Sequence, residues 1–548
     1  MRKGSFVLLA MFGALDCSGS SVQDGAAAGA GHGGTGVTSA AGSGGIAAGG
    51  GSGAPPGLTG GAGGGSGSSS PPPRFLFIGP ADPSGSLQAS RQYSVLLNGA
   101  SDDGSVLVGS SAFYVAATST FEGVNFYWTE VSGVVTLAAP SDPSRTVNVW
   151  PSVSPDGTSV FGYYSGGVFR WTKQNGYAFF PASWPVPVPP TGVVDISFSR
   201  DGTVAWGSYA DSTQSYGFRW RPSDGLVTSG SLPGWPADGL YAEYLQPSTC
   251  GGCGILVGGS PSSDDGKVVA GYHQPSLAPG AQLLHGFIWS EPGTLVELGP
   301  LPGTSACSVS ALSRDGTTAF GSCAQDPESA PTVFRWTAAS GMVVIGPTGD
   351  DAYYTDTTRD GKVAMGRSGT NALSRWTAGS GAVKLQPSAN TIDPAQYGLS
   401  MTPGSLSDDG GSVFGRASRI DFQPGFEEES PADGFRWSAI DGFVLLPPLP
   451  GYDIATVAAA APDGSVQVGI SRLRRGNPAS LPERVVLWDC RGVRDIAAEL
   501  AAGGIDLQGG GLSDVLRVWS SGASIMIVGY GTANGVAGAW IAWLPRRC

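Results

Sequence analysis

The chain has 548 residues, a formal charge of −13, and only 13% charged residues against 88 glycines. Sparse charge with abundant glycine favours turn-rich all-β structure over helical bundles, and the acidic balance leaves no basic stripe to neutralise nucleic-acid phosphates. Three histidines, His32, His273 and His285, are too few for a histidine-built metal centre.

Met1 to Cys17 reads as an export signal, with Arg2 and Lys3 ahead of an apolar run from Phe6 to Leu15 that is too short to span a bilayer. Ala14-Leu15-Asp16-Cys17 resembles a bacterial lipobox, which implies lipidation of Cys17 as the new N-terminus. Asp16 departs from the small residue usual before that cysteine, so plain secretion or an unprocessed segment stand as alternatives. From 18 to 73 the sequence is almost wholly Gly, Ser, Ala, Thr and Pro, a composition that buries nothing and predicts a disordered tether. Its span as a flexible coil is about 40 Å. The expected localisation is an outer-membrane or cell-surface lipoprotein, alternatively a secreted protein, touching a membrane only through its lipid.

Composition changes at Arg74, and Phe75-Leu76-Phe77-Ile78 is the first credible strand. A unit then recurs to the end of the chain. It begins with a tight turn, at Asp103-Gly104, Asp156-Gly157, Asp201-Gly202, Asp265-Gly266, Asp315-Gly316, Asp360-Gly361, Asp409-Gly410 and Asp463-Gly464, with a degenerate ninth copy at Ser521-Gly522. Gly accepts the positive φ of such a turn and Asp hydrogen-bonds the neighbouring backbone. A second Gly follows five residues on in the first eight copies, Gly109, Gly162, Gly207, Gly271, Gly321, Gly366, Gly415 and Gly469, and seven on in the ninth, Gly529. The apolar residues between the two glycines suit a strand.

Each copy next carries a Trp on a third strand: Trp128, Trp171, Trp220, Trp289, Trp336, Trp376, Trp437, Trp488 and Trp540. Phe-Arg usually precedes it, and alternation puts Phe and Trp on one face with Arg on the other. A Trp at one position of every unit is expected to pack between neighbouring sheets. Four short strands per unit of about 45 to 64 residues predict one β-propeller over 74–548, with four-stranded blades. Nine copies imply nine blades, with an eight-bladed ring and one atypical unit as the alternative. The last unit has only three strands, so the strand at Phe75 is expected to complete it and close the ring.

Six cysteines remain after Cys17, an even number that favours disulfides in an exported chain. Cys307 and Cys323 flank the Asp315-Gly316 turn symmetrically and should face each other across one hairpin. Cys250 and Cys253 form a C-x-x-C that lacks both a thioredoxin-like setting and a second zinc-ligand pair, which favours a local loop disulfide. Cys490 and Cys548 are left to staple the C-terminus to the preceding unit.

The pattern S-x-D-G-x-x-v-x-G, a loop, F-R-W-T and G-x-x-x-L-G resembles the HAF-type extracellular repeat family of bacterial secreted proteins. It is carried by Ser313 to Gly321 with Phe334 to Thr337, by Leu295 to Gly299, and by Ile527 to Gly531 with Ala539 to Ala542. The resemblance covers 74–548 and implies an exported propeller-like protein, with no established catalytic residues to transfer. Ser154-Pro155-Asp156-Gly157 is more weakly similar to the S-P-D-G repeats of TolB-type periplasmic propellers.

The repeated Asp residues have a sufficient role in their turns. The pairs Asp102-Asp103, Asp264-Asp265 and Asp408-Asp409 read as solvated turn residues rather than calcium ligands. Glu427-Glu428-Glu429 and Arg472, Arg474 and Arg475 read as charged loop insertions, and His273 and His285 flank one long loop without an identifiable nucleophile. No fingerprint for a nucleotide, metal or other cofactor appears outside the tether, so no cofactor is expected and catalytic residues stay unknown. The sequence favours a monomeric, non-enzymatic module binding a protein or glycan through its unequal loops. The alternative is a polysaccharide-active enzyme, a glycosidase or lyase, whose catalytic groups would converge from several blades at one end of the channel.

Overall fold

The computed structural model describes residues 72–547 apart from 80–92, 116–119, 138–150, 165–166, 181–191, 211–214, 229–261, 274–284, 326–328, 347–351, 369–371, 388–391, 393–396, 420–431, 474–481 and 508. The signal segment, Cys17, the tether 18–73 up to residue 71, Cys250, Cys253, Cys548 and Glu427 to Glu429 lie outside the described residues.

Nine antiparallel sheets follow one another along the chain, and they form a nine-bladed β-propeller. In sequence the blades occupy 93–136, 152–180, 192–228, 262–298, 306–344, 352–385, 397–445, 454–495 and 511–545. Eight are four-stranded, and the fourth shows three strands plus a bridge from Ser262 to Val269 among the described residues. Contacts between neighbouring blades concentrate on the first strand of each, which places that strand next to the axis and the fourth strand at the rim. The ninth blade takes its rim strand from the other end of the domain. Arg74–Ile78 pairs antiparallel with Val536–Pro545, in the register Phe75↔Ala542 and Phe77↔Trp540.

Closure of the ring is visible at the seam between blades nine and one. Val528 and Ile541 share a buried apolar cluster there with Leu97, Leu107 and Trp128, and the Leu97 N–H donates to the Tyr530 hydroxyl at 2.9 Å. Burial of apolar area between sheets, rather than within any one of them, is what holds such a ring together.

The sequence repeats acquire their roles at these seams. In six of the nine units the second Gly lies opposite the Phe of the third strand, as in Gly109↔Phe126, Gly321↔Phe334 and Gly415↔Phe435; Ser374, Val486 and Trp540 take that place in blades six, eight and nine. A Cβ on Gly321 would come within 2.2 Å of the Ser308 carbonyl oxygen and 2.5 Å of the Phe334 ring. That glycine is therefore a space requirement, because the ring lies flat across it. The Trp two residues beyond the Phe packs on the preceding blade: Trp220 meets Phe161 at 5.2 Å, and Trp376 meets Phe320 at 5.3 Å. The Arg between them has the matching duty on the other face. Arg170, Arg335 and Arg375 lie over Trp220, Trp376 and Trp437 of the following blade, 4.8 to 5.7 Å from the ring centres. These cation–π contacts make F-R-W a connector in both directions.

Trp540 differs from the other eight. Its partner across the sheet is Gly529, so it fills the position that Phe takes elsewhere, and Ala542 stands where the unit's Trp would be. The only helix among the described residues, Ile496–Ala502, lies outside the all-β expectation and is seven residues long. Asp495 caps it by accepting from the Ala498 N–H, and Ile496 and Leu500 are buried between blades eight and nine. No helix among the described residues is long and apolar enough to cross a membrane.

Candidate functional site

Each S-x-D-G turn is built by one serine. In the first blade the Gly104 N–H donates to the Ser101 carbonyl at 3.0 Å, closing a four-residue turn. The Ser101 hydroxyl donates to Asp103 at 2.7 Å and accepts from the Val106 N–H at 3.0 Å, while the Asp103 carboxylate accepts from the Ser105 N–H. The same set recurs around Ser154, Ser199, Ser263, Ser313, Thr358 and Ser407, with hydroxyl-to-Asp distances of 2.5 to 3.0 Å. The turn glycines have φ between +64° and +73° in all eight copies. They also approach the preceding blade: a Cβ on Gly316 would meet Val268 at 2.8 Å, and one on Gly104 would meet Met526 of blade nine. At Asp409 the Ser407 hydroxyl and the Gly411 N–H hold the carboxyl below its usual range. Burial works against the same effect at Asp103, Asp201, Asp265 and Asp315, and the hydroxyl and N–H donors outweigh it. These five aspartates are thus ionised turn struts.

The variable residue x of S-x-D-G is set at the axis. Successive turns bond to one another there: Asp102 N–H donates to the Pro155 carbonyl at 2.7 Å, Arg200 to Asp264 and Asp264 to Arg314 at 2.6 Å, and Asp408 to Pro462 at 2.8 Å. Pro155 and Pro462 suit the second position of a turn but have no N–H to pass on. Beyond Pro462, the Ser520 hydroxyl reaches back to Asp463 at 2.7 Å instead. This chain of bonds lines the turn-side mouth of the central channel with Asp102, Arg200, Asp264, Arg314, Arg359 and Asp408.

Two more charges join them from bulged first strands. The register of Ala352–Thr357 shifts between Tyr354 and Asp356, and that of Gly511–Ser521 shifts between Val515 and Arg517. A bulge re-aims the side chain that follows it. Half of the mouth is an ion-pair chain: Arg200 lies 3.8 Å from both Asp102 and Asp264, and Arg359 lies 2.7 Å from Asp264. Arg200 and Asp264 sit on neighbouring blades, whereas Arg200 with Asp102 and Arg359 with Asp264 each skip a blade and reach past the turn between them.

The other half is not paired in this way. Asp356 is half-buried and its carboxyl is pushed up to about 6, by burial first and by Asp408 in addition, against N–H donation from Thr357 and Leu406 and attraction to Arg314. Arg517 is driven below its usual range by burial, with Asp102 opposing and Arg314 adding to the shift. Among the described residues, the Arg314 guanidinium makes no ion pair, and that of Arg517 contacts only the Ala100 carbonyl at 3.5 Å and the Trp519 ring at 5.1 Å. This unpaired group, Arg314, Asp356, Asp408 and Arg517, is the candidate site.

The other expected residues fall elsewhere. Cys307 and Cys323 are joined across one hairpin, in the register Cys307↔Cys323. Cys490 is disulfide-bonded. His273 and His285 are opposite one another in backbone register, and His285 lies 3.5 Å from Glu297. Buried or half-buried ion clusters at Arg219, Arg221, Asp224 and Glu291, and at Arg494, Asp489 and Glu499, join neighbouring strands and loops away from the mouth. Of the four residues of the candidate site the sequence singles out only Asp408, and as a solvated turn residue. The site's one sequence signal is the run of charges at x in six of the turns.

Comparison with known protein families and with curated proteins finds no match. Among solved structures the chain is similar to dipeptidyl peptidase 4 of Porphyromonas gingivalis, at 12% identity and a TM-score of 0.44, covering 83% of this chain and 67% of that one. It is also similar to an oligogalacturonate lyase in complex with manganese, at 13% identity and a TM-score of 0.33 over 63% and 93% of the two chains. A third is the β-propeller domain of the Trilobed protease from Pyrococcus furiosus, at 9% identity and a TM-score of 0.31 over 65% and 99%. These likenesses are distant, and the chain's own residues carry the functional reading.

Proposed function

We propose that this chain is an exported propeller of the HAF-type repeat class, a monomer that binds a protein or glycan without transforming it. The observation that carries the reading is the division of labour at the channel mouth. The repeated aspartates are committed to their turns and half of the mouth charges to one another, while Arg314, Asp356, Asp408 and Arg517 make no ion pair among the described residues, Asp356 accepting from the Thr357 and Leu406 N–H groups. The Cys307–Cys323 disulfide supports an oxidising, extracellular or periplasmic location. Lipidation at Cys17 and a tether to the cell surface belong to the same proposal, and nucleic acid is no part of it. The unequal loops at the far end of the blades are a second proposed contact surface.

One observation favours a polysaccharide-active enzyme as a second reading. Asp356, with its raised carboxyl, lies near Asp408 and Arg314, and acids and bases held at different protonation states are what glycoside chemistry uses. A glycan array probed with the secreted protein, followed by product analysis on every hit, separates the two. Capture with no new chain ends supports the binding module. Turnover that Asp356→Asn abolishes supports the enzyme and ends the non-enzymatic reading. If a short linker in place of 420–431 leaves capture unchanged, that loop has no part in binding.

A further inference from the structure

We propose that a cavity at the seam of blades seven and eight takes one neutral sugar residue of a glycan. The proposal rests on the chain being a glycan-binding module, and it names the chemistry of one contact that shares no residue with the mouth group. The cavity has a volume of about 270 Å³ and lies between Arg436 of blade seven, Gly464 to Gln467 and Asp489 of blade eight, and Arg546 beyond blade nine. That is at the small end of ligand sites and suits a single sugar ring.

Three departures from the repeat meet at this cavity. The first is Gln467, opposite Trp488 across the sheet. Leu, Val or Ala holds that position in each of the first seven blades, as in Leu107↔Trp128 and Val413↔Trp437. Gln467 is only 3% exposed, and its Nε2 donates to the Gly464 carbonyl at 3.0 Å. Its side-chain oxygen accepts from no described residue, a costly arrangement where the other blades bury hydrocarbon. The second departure is Arg436. Arg170, Arg335 and Arg375 lie over the Trp of the next blade, but Arg436 lies over no ring among the described residues. Its Nη2 donates to Asp441 at 2.6 Å, which leaves Nε and Nη1 for another acceptor. The third is Ala461, where the first seven turns have a serine or threonine whose hydroxyl accepts from the N–H five residues on. The Val466 N–H, on the cavity wall, is left without that acceptor. Charge then decides the class of guest. Arg436 is matched by Asp441, Arg546 by Asp463 at 3.3 Å and Asp489 by Arg494 at 2.7 Å, so an anion finds no net attraction. What stays open is a mixed set, guanidinium and N–H donors beside an amide oxygen. Neighbouring sugar hydroxyls, each donor and acceptor at once, match that set, whereas a carboxylate or an ammonium would satisfy only one side of it.

Saturation-transfer difference NMR on the full chain tests this with the methyl glycosides of glucose, galactose, mannose and N-acetylglucosamine. Sodium glucuronate and glucosamine serve as the anionic and cationic controls. We expect saturable binding of at least one neutral glycoside, tighter than either control. Gln467→Leu, which installs the residue that blade one carries at this position, should weaken it about tenfold or more, and Arg436→Gln should do the same. The Arg436 side chain is partly exposed, so Arg436→Gln carries the test even if Gln467→Leu fails to fold. No binding of a neutral glycoside, tighter binding of a charged control, or binding unchanged in either folded variant overturns the proposal. Glycan capture on an array that persists in the double variant sinks this site while the binding-module reading stands; an array on which the wild type captures nothing ends the glycan reading as well.

Discussion

Asp356→Asn probes the cost of keeping a carboxyl at the channel mouth. In the folded protein this group titrates near 6, against 3.8 ordinarily. A difference of about two pH units corresponds to about 3 kcal/mol. Because the folded-state value is raised, the folded protein holds the proton more tightly than the unfolded chain. Below pH 3.8 both states are protonated and the group contributes nothing. Between 3.8 and about 6 the unfolded chain ionises first and stability falls. Above 6 the whole penalty persists. Asparagine keeps an oxygen to accept from the Thr357 and Leu406 N–H groups but carries no charge. The variant should match the wild type near pH 3.5 and exceed it by up to about 3 kcal/mol at pH 7.5. Urea unfolding of both proteins in half-unit steps from pH 3.5 to 8 measures the gap. A gap that is constant with pH, or a wild type that gains on the variant as pH rises, refutes the reasoning.

Ser313→Ala removes a buried hydroxyl that serves both the Asp315 carboxylate and the Thr318 N–H, and should cost about 1–3 kcal/mol by the same unfolding assay. Gly321→Ala places a methyl 2.2 Å from a backbone oxygen and should prevent soluble expression or lower the melting temperature by many degrees; Gly341→Ala, with open space but φ of +63°, should cost only about 1 kcal/mol. Cys307→Ser with Cys323→Ser opens a disulfide loop with a sequence separation of 16 and should remove about 3 kcal/mol, measured by the same unfolding assay under non-reducing conditions that leave the Cys490 disulfide intact. The turn aspartates act in the opposite sense from Asp356. The folded-state values of Asp103, Asp201, Asp265, Asp315 and Asp409 are lowered, so their stabilisation is present above the ordinary value of 3.8 and is lost as pH falls through the lowered values, and Asp409→Asn should blunt the acid unfolding seen by circular dichroism.

What could be read in the sequence was what local chemistry repeats. Gly316 needs positive φ wherever its turn sits, and Trp336 needs a large gap to fill, so both announce themselves in every unit. The strand shortage at one end and the surplus at Phe75 revealed the closure, because strands are countable. Nine blades, rather than eight with an irregular unit, follow from the ninth turn having a full sheet behind it. The mouth was harder to see. Arg314 and Asp408 occupy the one turn position that the repeat leaves free, and that position gains meaning only when nine copies meet at an axis. Asp356 and Arg517 depend on bulges, which no residue pattern marked. The arginine of F-R-W was placed on the correct face but without its partner, since the Trp it covers is in the next blade, tens of residues on. The helix at Ile496 had a readable signature, Asp495 as cap and Ile496 with Leu500 on one side, that the regularity of the strands obscured.

The pairing of Arg74–Ile78 with Val536–Pro545 also sets an order of events during synthesis. Eight blades are made of strands adjacent in the chain, so each can form its sheet soon after it leaves the ribosome. The ninth cannot. Its rim strand is made before any other strand of the ring and must wait for a partner more than 450 residues later. Until then Phe75 and Phe77, which end up against the apolar packing of blades eight and nine, are left without their seat. An arrest at 530 residues would therefore yield an almost complete but open ring, sticky at both ends. The organism that makes this protein has reason to keep that interval short, or to cover those two phenylalanines while it lasts.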